Sequence, residues 1–426
     1  MTARCFLRTV VVMLLVATGV SIRAEELGFP KGCVELEKVS FKWSFDTFSL
    51  RDSVLFRLVP GAADRTTEIS QSFVAWDLDT GKWLARRPAP DSRAHRWMFS
   101  PDGKVLAVPV DDHARTVQLW EVGTKDIHGV PQLRLIAKLP QRKVLPNELQ
   151  SGRPRGTTVC GVAWTPDSKT LLVNWPYPNF HTDHQILLWS FTDKPSVLSD
   201  SKQDEREPKA WKPWAKLEFD TAVDFAVSPD NQTLAVIQQR RKQQRLVDGH
   251  FFDPQTAQPR EKFQFEPGSK SDAEILWEYR PVFSPDSKTL AIEGGEYFAL
   301  WETSPPAPRV EMVRPDFLKI SGPHHRFVFT PDGRWLLTRK IAQHKELNSF
   351  TGGMLQVRDA QTGKVHCEVS FPEKLGQFIE IDSLPDGRVR TRFLSRKSSQ
   401  GTDPREFLWH ADDLLRYAAE HGSPPL

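Results

Sequence analysis

His181-Thr182-Asp183-His184 is the densest group of metal-ligating side chains in the sequence, and Asp111, Asp112 and His113 stand at the corresponding place one repeating unit earlier. Two histidines and a carboxylate could hold a divalent ion if such loops converged. Solvated loop residues account for the same letters, so His181 and His184 are the nearest metal candidates and the expectation is no metal. His324-His325 reads as the polar entry to a strand. The cysteines are Cys5, Cys33, Cys160 and Cys367, widely spaced and without a C-x-x-C pair, which excludes a disulfide framework and a zinc-site pattern. Cys160 is read in an apolar strand, where a buried thiol is inert. No G-x-S-x-G, H-E-x-x-H or G-x-x-x-x-G-K-[ST] occurs. Asn231-Gln232-Thr233 has the form of a glycosylation acceptor, but a turn explains it equally well. The chain is therefore expected to have no cofactor and not to be an enzyme.

Residues suited to binding are more plentiful. Arg142 and Arg155, then Arg240, Arg241, Lys242 and Arg245, then Arg339 and Lys340, fall between hydrophobic runs in several parts of the chain. Trp175-Pro176-Tyr177-Pro178-Asn179-Phe180 places three rings in one such link. If Trp175, Tyr177 and Phe180 share a face with the basic residues, that face could recognise an acidic protein surface or an anionic glycan. A solvated polar rim is the competing reading, since charge runs on loops commonly serve solubility. The overall net charge of +3 is small for 426 residues, so it gives no strong field for nucleic acid.

Whether these residues meet depends on the elements around them, and those repeat. Ser100-Pro101-Asp102-Gly103 returns as Thr165-Pro166-Asp167-Ser168, Ser228-Pro229-Asp230-Asn231, Ser284-Pro285-Asp286-Ser287, Thr330-Pro331-Asp332-Gly333 and Leu384-Pro385-Asp386-Gly387, at intervals of 46 to 65 residues. Proline fixes φ, aspartate bonds nearby amides and a small residue closes the turn, so each copy predicts a hairpin tip. A degenerate seventh copy, starting at Ser49 and lacking the proline, is read within Phe48-Ser49-Leu50-Arg51-Asp52-Ser53. Short apolar runs flank every tip, such as Val162-Ala163-Trp164 before and Thr170-Leu171-Leu172-Val173 after. They suit strands buried on both faces. A third run commonly ends on tryptophan, at Trp76, Trp120, Trp189, Trp301 and Trp409, with Arg358 in that place once. A second turn signal, Asp79-Thr80-Gly81-Lys82 or Gln361-Thr362-Gly363-Lys364, leads to a fourth run.

Four strands per unit and seven units predict an all-β, seven-bladed β-propeller of four-stranded antiparallel blades. The run from Phe99-Ser100-Pro101-Asp102-Gly103-Lys104 to Val117-Gln118-Leu119-Trp120-Glu121 resembles the WD40 repeat family, and the resemblance extends over roughly residues 40–410. A tryptophan-aspartate pair occurs only at Trp76-Asp77, and Gly249-His250 falls beside a third strand rather than before a first. TolB-like propellers, which share the proline-aspartate-glycine turn, are the second resemblance. The family implies architecture and a binding role: a protein-interaction scaffold, with a glycan or cell-envelope binding module, or a hydrolase or lyase with a funnel active site, as alternatives. It also implies a ring closed by an N-terminal strand, for which Val34 to Phe41 is well placed.

In this arrangement, links between second and third strands share one face with the blade-to-blade links, and the basic and aromatic residues above fall on that face. The charge-rich link from Thr192 to Pro213 falls on the other, with Trp211 and Trp214 placed to pin an outer strand. At the start of the chain, Arg4 and Arg8 precede an uncharged run from Thr9 to Val20 and the small residues Gly19, Ser21 and Ala24. This is the pattern of a secretory signal. The expected organisation is a signal peptide over 1–24, the propeller over 25–410 and a C-terminal helical tail over 411–426, with Leu414, Leu415 and Ala418 at helical spacing. The expected product is an exported monomer, periplasmic or extracellular, with no membrane span in the mature chain, no nucleic-acid partner, and a protein or anionic glycan as partner.

Overall fold

The computed structural model describes residues 27–30, 33–37, 48–51, 54–60, 71–88, 98–110, 116–125, 131–139, 161–176, 184–191, 212–221, 223–239, 246–266, 279–294, 297–313, 327–344, 349–384, 386–394 and 404–424. Their strands form seven four-stranded antiparallel sheets. The first consists of Phe48–Arg51, Val54–Pro60, Gln71–Asp77 and Trp83–Pro88, each strand paired with the next in the chain. The second to sixth sheets repeat that order over 98–139, 161–219, 223–265, 280–313 and 327–370. The seventh takes Gln377–Ser383, Arg388–Leu394 and Pro404–His410 from the end of the chain and Val34–Glu35 from its beginning.

The fold is an all-β propeller of four-stranded blades with one short C-terminal helix, Ala411–His421. First strands of neighbouring blades touch: Phe48–Arg51 lies against Met98–Phe99, Met98–Phe99 against Gly161–Trp164, Gly161–Trp164 against Val223–Val227, and Val223–Val227 against Arg280–Phe283. The blades are joined through apolar seams. Val117, Leu119 and Leu139 pack on Val162, Trp164 and Leu171; Ile186, Leu188 and Leu217 on Phe225, Leu234 and Val236; and Ile237, Val247 and Phe263 on Tyr279, Leu290 and Trp301. Each fully buried aliphatic chain contributes about 1.5–3 kcal/mol. An exposed ion pair such as Lys216–Glu218 contributes roughly 0–1 kcal/mol, so the seams hold the blades together.

The proline-aspartate turns share one mechanism. Ser100 donates its hydroxyl to Asp102 at 2.6 Å and accepts the Val105 amide at 3.0 Å, while Asp102 accepts the Lys104 amide at 3.1 Å. The hydroxyls of Thr165, Ser228, Ser284 and Thr330 repeat the first bond. The fourth position adopts positive φ every time, at Gly103, Ser168, Asn231, Ser287, Gly333 and Gly387, which accounts for the small or turn-forming residue there. In two pairs the tips also bond to each other: the Asp102 amide donates to Ser168 Oγ and the Asp230 amide to Ser287 Oγ, both at 3.0 Å.

Ser49 does not begin such a turn. It lies within the first strand, paired with Phe56, and the chain reverses between Arg51 and Val54. The reversal leaves only two residues between the paired strand ends, too few for the four-residue tip of the other blades. Asp52 and Ser53 lie outside the described residues.

The N-terminal segment joins the last blade to the first. Leu36 donates its amide to Glu406, and Glu37 donates its own to Gly81 in the first blade. Trp76 Nε1 reaches the Glu37 carbonyl at 2.9 Å, and Arg405 forms a two-pronged bond to Glu35 at 2.7 and 2.8 Å. Phe29 inserts between Phe407, Trp409 and Tyr417, which ties the segment to the C-terminal helix. That helix shares a core with blades six and seven through Leu414, Tyr417 and Ala418. Cys33 and Cys367 are free thiols buried in the same core, and burial raises both above the usual thiol range. Cys160 lies outside the described residues. Among the described residues no helix is long and apolar enough to cross a membrane.

Candidate functional site

Most of the expected binding face lies outside the described residues: Arg142, Arg155, Tyr177, Phe180, His181, Arg240, Arg241, Lys242 and Arg245. Trp175 and Lys340 are described only as backbone, within the strands Thr170–Pro176 and Trp335–His344.

Arg339 departs from the expectation. It sits inside a second strand, paired with Leu355, and is buried rather than presented on a loop. Burial lowers its pKa to about 10, opposed by the nearby negative charge of Glu380. It belongs to the seam between blades six and seven. Gly353 makes room for it, since a Cβ there would stand 2.3 Å from the Phe378 carbonyl oxygen and 3.2 Å from Arg339 Nε. His184 is likewise no solvated loop residue. It opens a third strand, pairs with Pro176 and Phe219, and is 3% exposed. Among the described residues no three histidine, cysteine, aspartate or glutamate side chains group as metal ligands would.

The described residues instead assemble a polar region along the seam of blades three and four. Strand alternation directs it: Leu172, Ile186 and Leu188 face the fourth blade, so Asn174 and His184, each two residues from one of these, face it too. Asn174 Nδ2 donates to the Val223 carbonyl at 2.7 Å across the seam. Among the described residues, Asn174 Oδ1 and Thr221 Oγ1 are buried without a hydrogen-bond partner. From the fourth blade, Gln238 Nε2 donates to Asp220 in the blade-to-blade link. Gln238 pairs with Asp248 in the ladder, and Asp248 with Gln264, whose Nε2 donates to the Asp248 carboxylate at 2.8 Å. Two rungs on, past the pair Gly249 and Phe263, His250 pairs with Lys262, and its ring stands 5.8 Å from that of Phe219 in the third blade.

A cavity of about 340 Å³ opens over these three rungs, lined by Asp248, Gly249, His250, Lys262, Phe263 and Gln264. Gly249 is required there by close approach, because a Cβ would lie 2.1 Å from the Phe263 ring. That ring lies in turn against Trp301 of the fifth blade, with centroids 4.4 Å apart and the planes tilted by 34°. The site thus offers one buried carboxylate, an amide, an imidazole and an exposed ammonium on a rigid two-strand floor.

Sequence reasoning passed over this group. Its residues alternate along two ordinary strands, and only the ladder register brings Asp248 beside Gln264 and His250 beside Lys262. Gly249-His250 was visible, but as a departure from the family's dipeptide position. It lies within the third strand, Val247–Phe252.

No family model matches the chain, and no curated protein matches it. Solved structures do match. A chain in a crystal structure of the mitotic checkpoint complex is 12% identical to this one, with a TM-score of 0.51, over 90% of this chain and 94% of that one. The match shows that this chain shares its fold with that one, and the blade arrangement makes the fold a β-propeller.

Proposed function

We propose that the chain is an exported, non-catalytic, seven-bladed propeller that binds a protein partner through the face bearing the links between second and third strands. The observation that carries the reading is the strand order. The second strands Thr170–Pro176, Leu234–Gln239, Trp335–His344 and Arg388–Leu394 all run toward one side of the ring, and their third strands return from it. In sequence, Arg240, Arg241, Lys242 and Arg245 stand between Gln239 and Val247, and Tyr177, Phe180 and His181 stand between Pro176 and His184. The four basic residues of the link between Gln239 and Val247 would attract an acidic surface over a Debye length of about 8–10 Å in ordinary salt. The likeness of fold to a chain of a multiprotein complex supports a scaffold role.

The test uses the chain from residue 25 as bait in an envelope extract, followed by binding measurements with the purified partner. Arg240, Arg241, Lys242 and Arg245 are changed together to serine. Recovery should fall and wild-type binding should weaken as salt rises. Unchanged recovery with the quadruple variant overturns the proposal for this face.

A further inference from the structure

We infer that the cavity over Asp248, Gly249, His250, Lys262, Phe263 and Gln264 binds a neutral monosaccharide unit, as a site separate from the protein-binding face. Its volume of about 340 Å³ lies at the small end of ligand sites, which run about 300–1,000 Å³. A single ring fits it.

The charges select among small polar ligands. Asp248 and Lys262 stand two rungs apart on one face of the ladder, because Asp248 pairs with Gln264, Gly249 with Phe263 and His250 with Lys262. An anion that approaches Lys262 meets the Asp248 carboxylate, and a cation drawn to Asp248 meets the Lys262 ammonium. A ligand with several uncharged groups, each both donor and acceptor, uses both. Hydroxyls do so: they can donate to a carboxylate, which accepts at both oxygens, and accept from the Lys262 ammonium. Asp248 and His250 are two residues apart on one strand, about 7 Å along it, a span that one pyranose with its hydroxyls bridges.

The floor is built to stay in place. Gly249 admits the Phe263 ring, which is clamped between Phe251 at 5.2 Å and Trp301 at 4.4 Å. His250 is held edge-to-face by Phe219. Asp248 is 7% exposed and already bonded to Gln264, so its carboxylate is positioned before any ligand arrives. Such pre-positioning lowers the ordering cost of binding.

Saturation-transfer NMR and calorimetry with glucose, galactose, mannose and N-acetylglucosamine test this directly, with glucuronate and glucosamine as charged counterparts. At least one neutral sugar should bind in the millimolar range, and its affinity should fall about tenfold or more in Lys262→Ala and in Asp248→Asn. Lys262 is exposed, so its removal leaves the fold intact, and Lys288→Ala, in a turn of the fifth blade, should bind as wild type does. The serine variants of Arg240 to Arg245 should also bind the sugar normally, which separates this site from the protein-binding face. The inference is overturned if no neutral sugar binds tighter than about 10 mM, if a charged counterpart binds better than every neutral one, or if both cavity variants bind unchanged.

Discussion

At the scale of single residues, buried charge is where this propeller is most sensitive. Arg390 is fully buried on the second strand of the seventh blade, with Asp382, Glu380 at 3.4 Å and Glu406 at 3.3 Å around its guanidinium. Arg392 shares Glu380 and Glu406 at 3.3 and 3.6 Å. Removing one partner of a buried group strands the others, and the cost is about 3–5 kcal/mol. Arg390→Leu is therefore expected to lower stability by that amount, read from the midpoint of urea unfolding. Arg416→Leu, which breaks an exposed pair with Asp413, should change it by no more than about 0.5 kcal/mol. The turn carboxylates give a second expectation. The Thr80 hydroxyl and amide hold the Asp77 carboxyl below its usual range. Burial raises the Asp286 carboxyl, but the Ser284 hydroxyl and the Lys288 amide outweigh it, and the net shift is also downward. A folded pKa below the unfolded one means that the stabilisation is fully present above the unfolded value, near pH 4, and is lost as pH falls through the folded one. Urea midpoints should therefore decline as pH is lowered below about 4, and less steeply in an Asp77→Asn, Asp286→Asn double variant. Equal slopes for the two proteins would show that these turns do not contribute.

At the scale of the element, the turns were the most legible feature, because a hydroxyl, a proline and an aspartate in a row dictate one local geometry wherever they stand. The third-to-fourth-strand turn was legible in two places by the same logic. Asp77 caps the Asp79 and Thr80 amides at 3.1 and 2.7 Å, and Asp359 caps those of Gln361 and Thr362 at 3.0 and 2.7 Å. A third copy went unread, because its closing position is Ala257 rather than glycine. Asp253 accepts the Gln255 and Thr256 amides at 2.8 and 3.0 Å, and Ala257 takes a positive φ of 56°. Arg358 in place of tryptophan was visible only as a loss. In the structure its guanidinium bonds Thr338 Oγ1, Gln356 Oε1 and the Gly363 carbonyl, so it serves a buried polar network where Trp409 bonds Thr391. Seams and networks depend on which strands become neighbours, and a single strand carries no mark of its partner. Gly81 tests the turn at its tightest point: φ is +69°, and a Cβ would stand 2.2 Å from the Glu35 carbonyl oxygen of the N-terminal strand. Gly81→Ala should cost about 1–3 kcal/mol through strain and a displaced strand, whereas Gly123→Ala, with its nearest contact at 3.4 Å, should cost less than about 1 kcal/mol. Thermal unfolding of both variants checks the difference.

At the scale of the whole molecule, the two ends of the chain hold the ring together. The seventh blade takes Val34–Glu35 as its outer strand, and the same few residues run on to bond the first blade at Gly81, Trp76 and Trp83. A second latch crosses the junction nearby: Arg388 Nη1 donates to the Leu78 carbonyl at 3.0 Å while its Nε bonds Asp386 at 2.6 Å. An apolar seam of Leu36, Val74, Trp76, Leu78, Leu384 and Leu408 lies along this junction. Blades one and seven are thus joined by contacts between residues more than 300 positions apart, as Arg388 and Leu78 are. Contacts of that separation form only after the intervening chain has been ordered, so closure should come late in folding. A chain beginning at residue 38 would leave the seventh blade with three strands and remove Leu27, Phe29, Cys33 and Leu36 from the core. It is expected to unfold at lower urea than a chain beginning at residue 25 and to bind a hydrophobic dye before unfolding, since Trp409 and Tyr417 lose the Phe29 ring between them. Adding a peptide of residues 25–37 should restore the midpoint in part, because the binding of a ligand to the folded state alone raises stability with its concentration. A truncated chain with the midpoint of the longer one would show that the ring closes without its N-terminal strand.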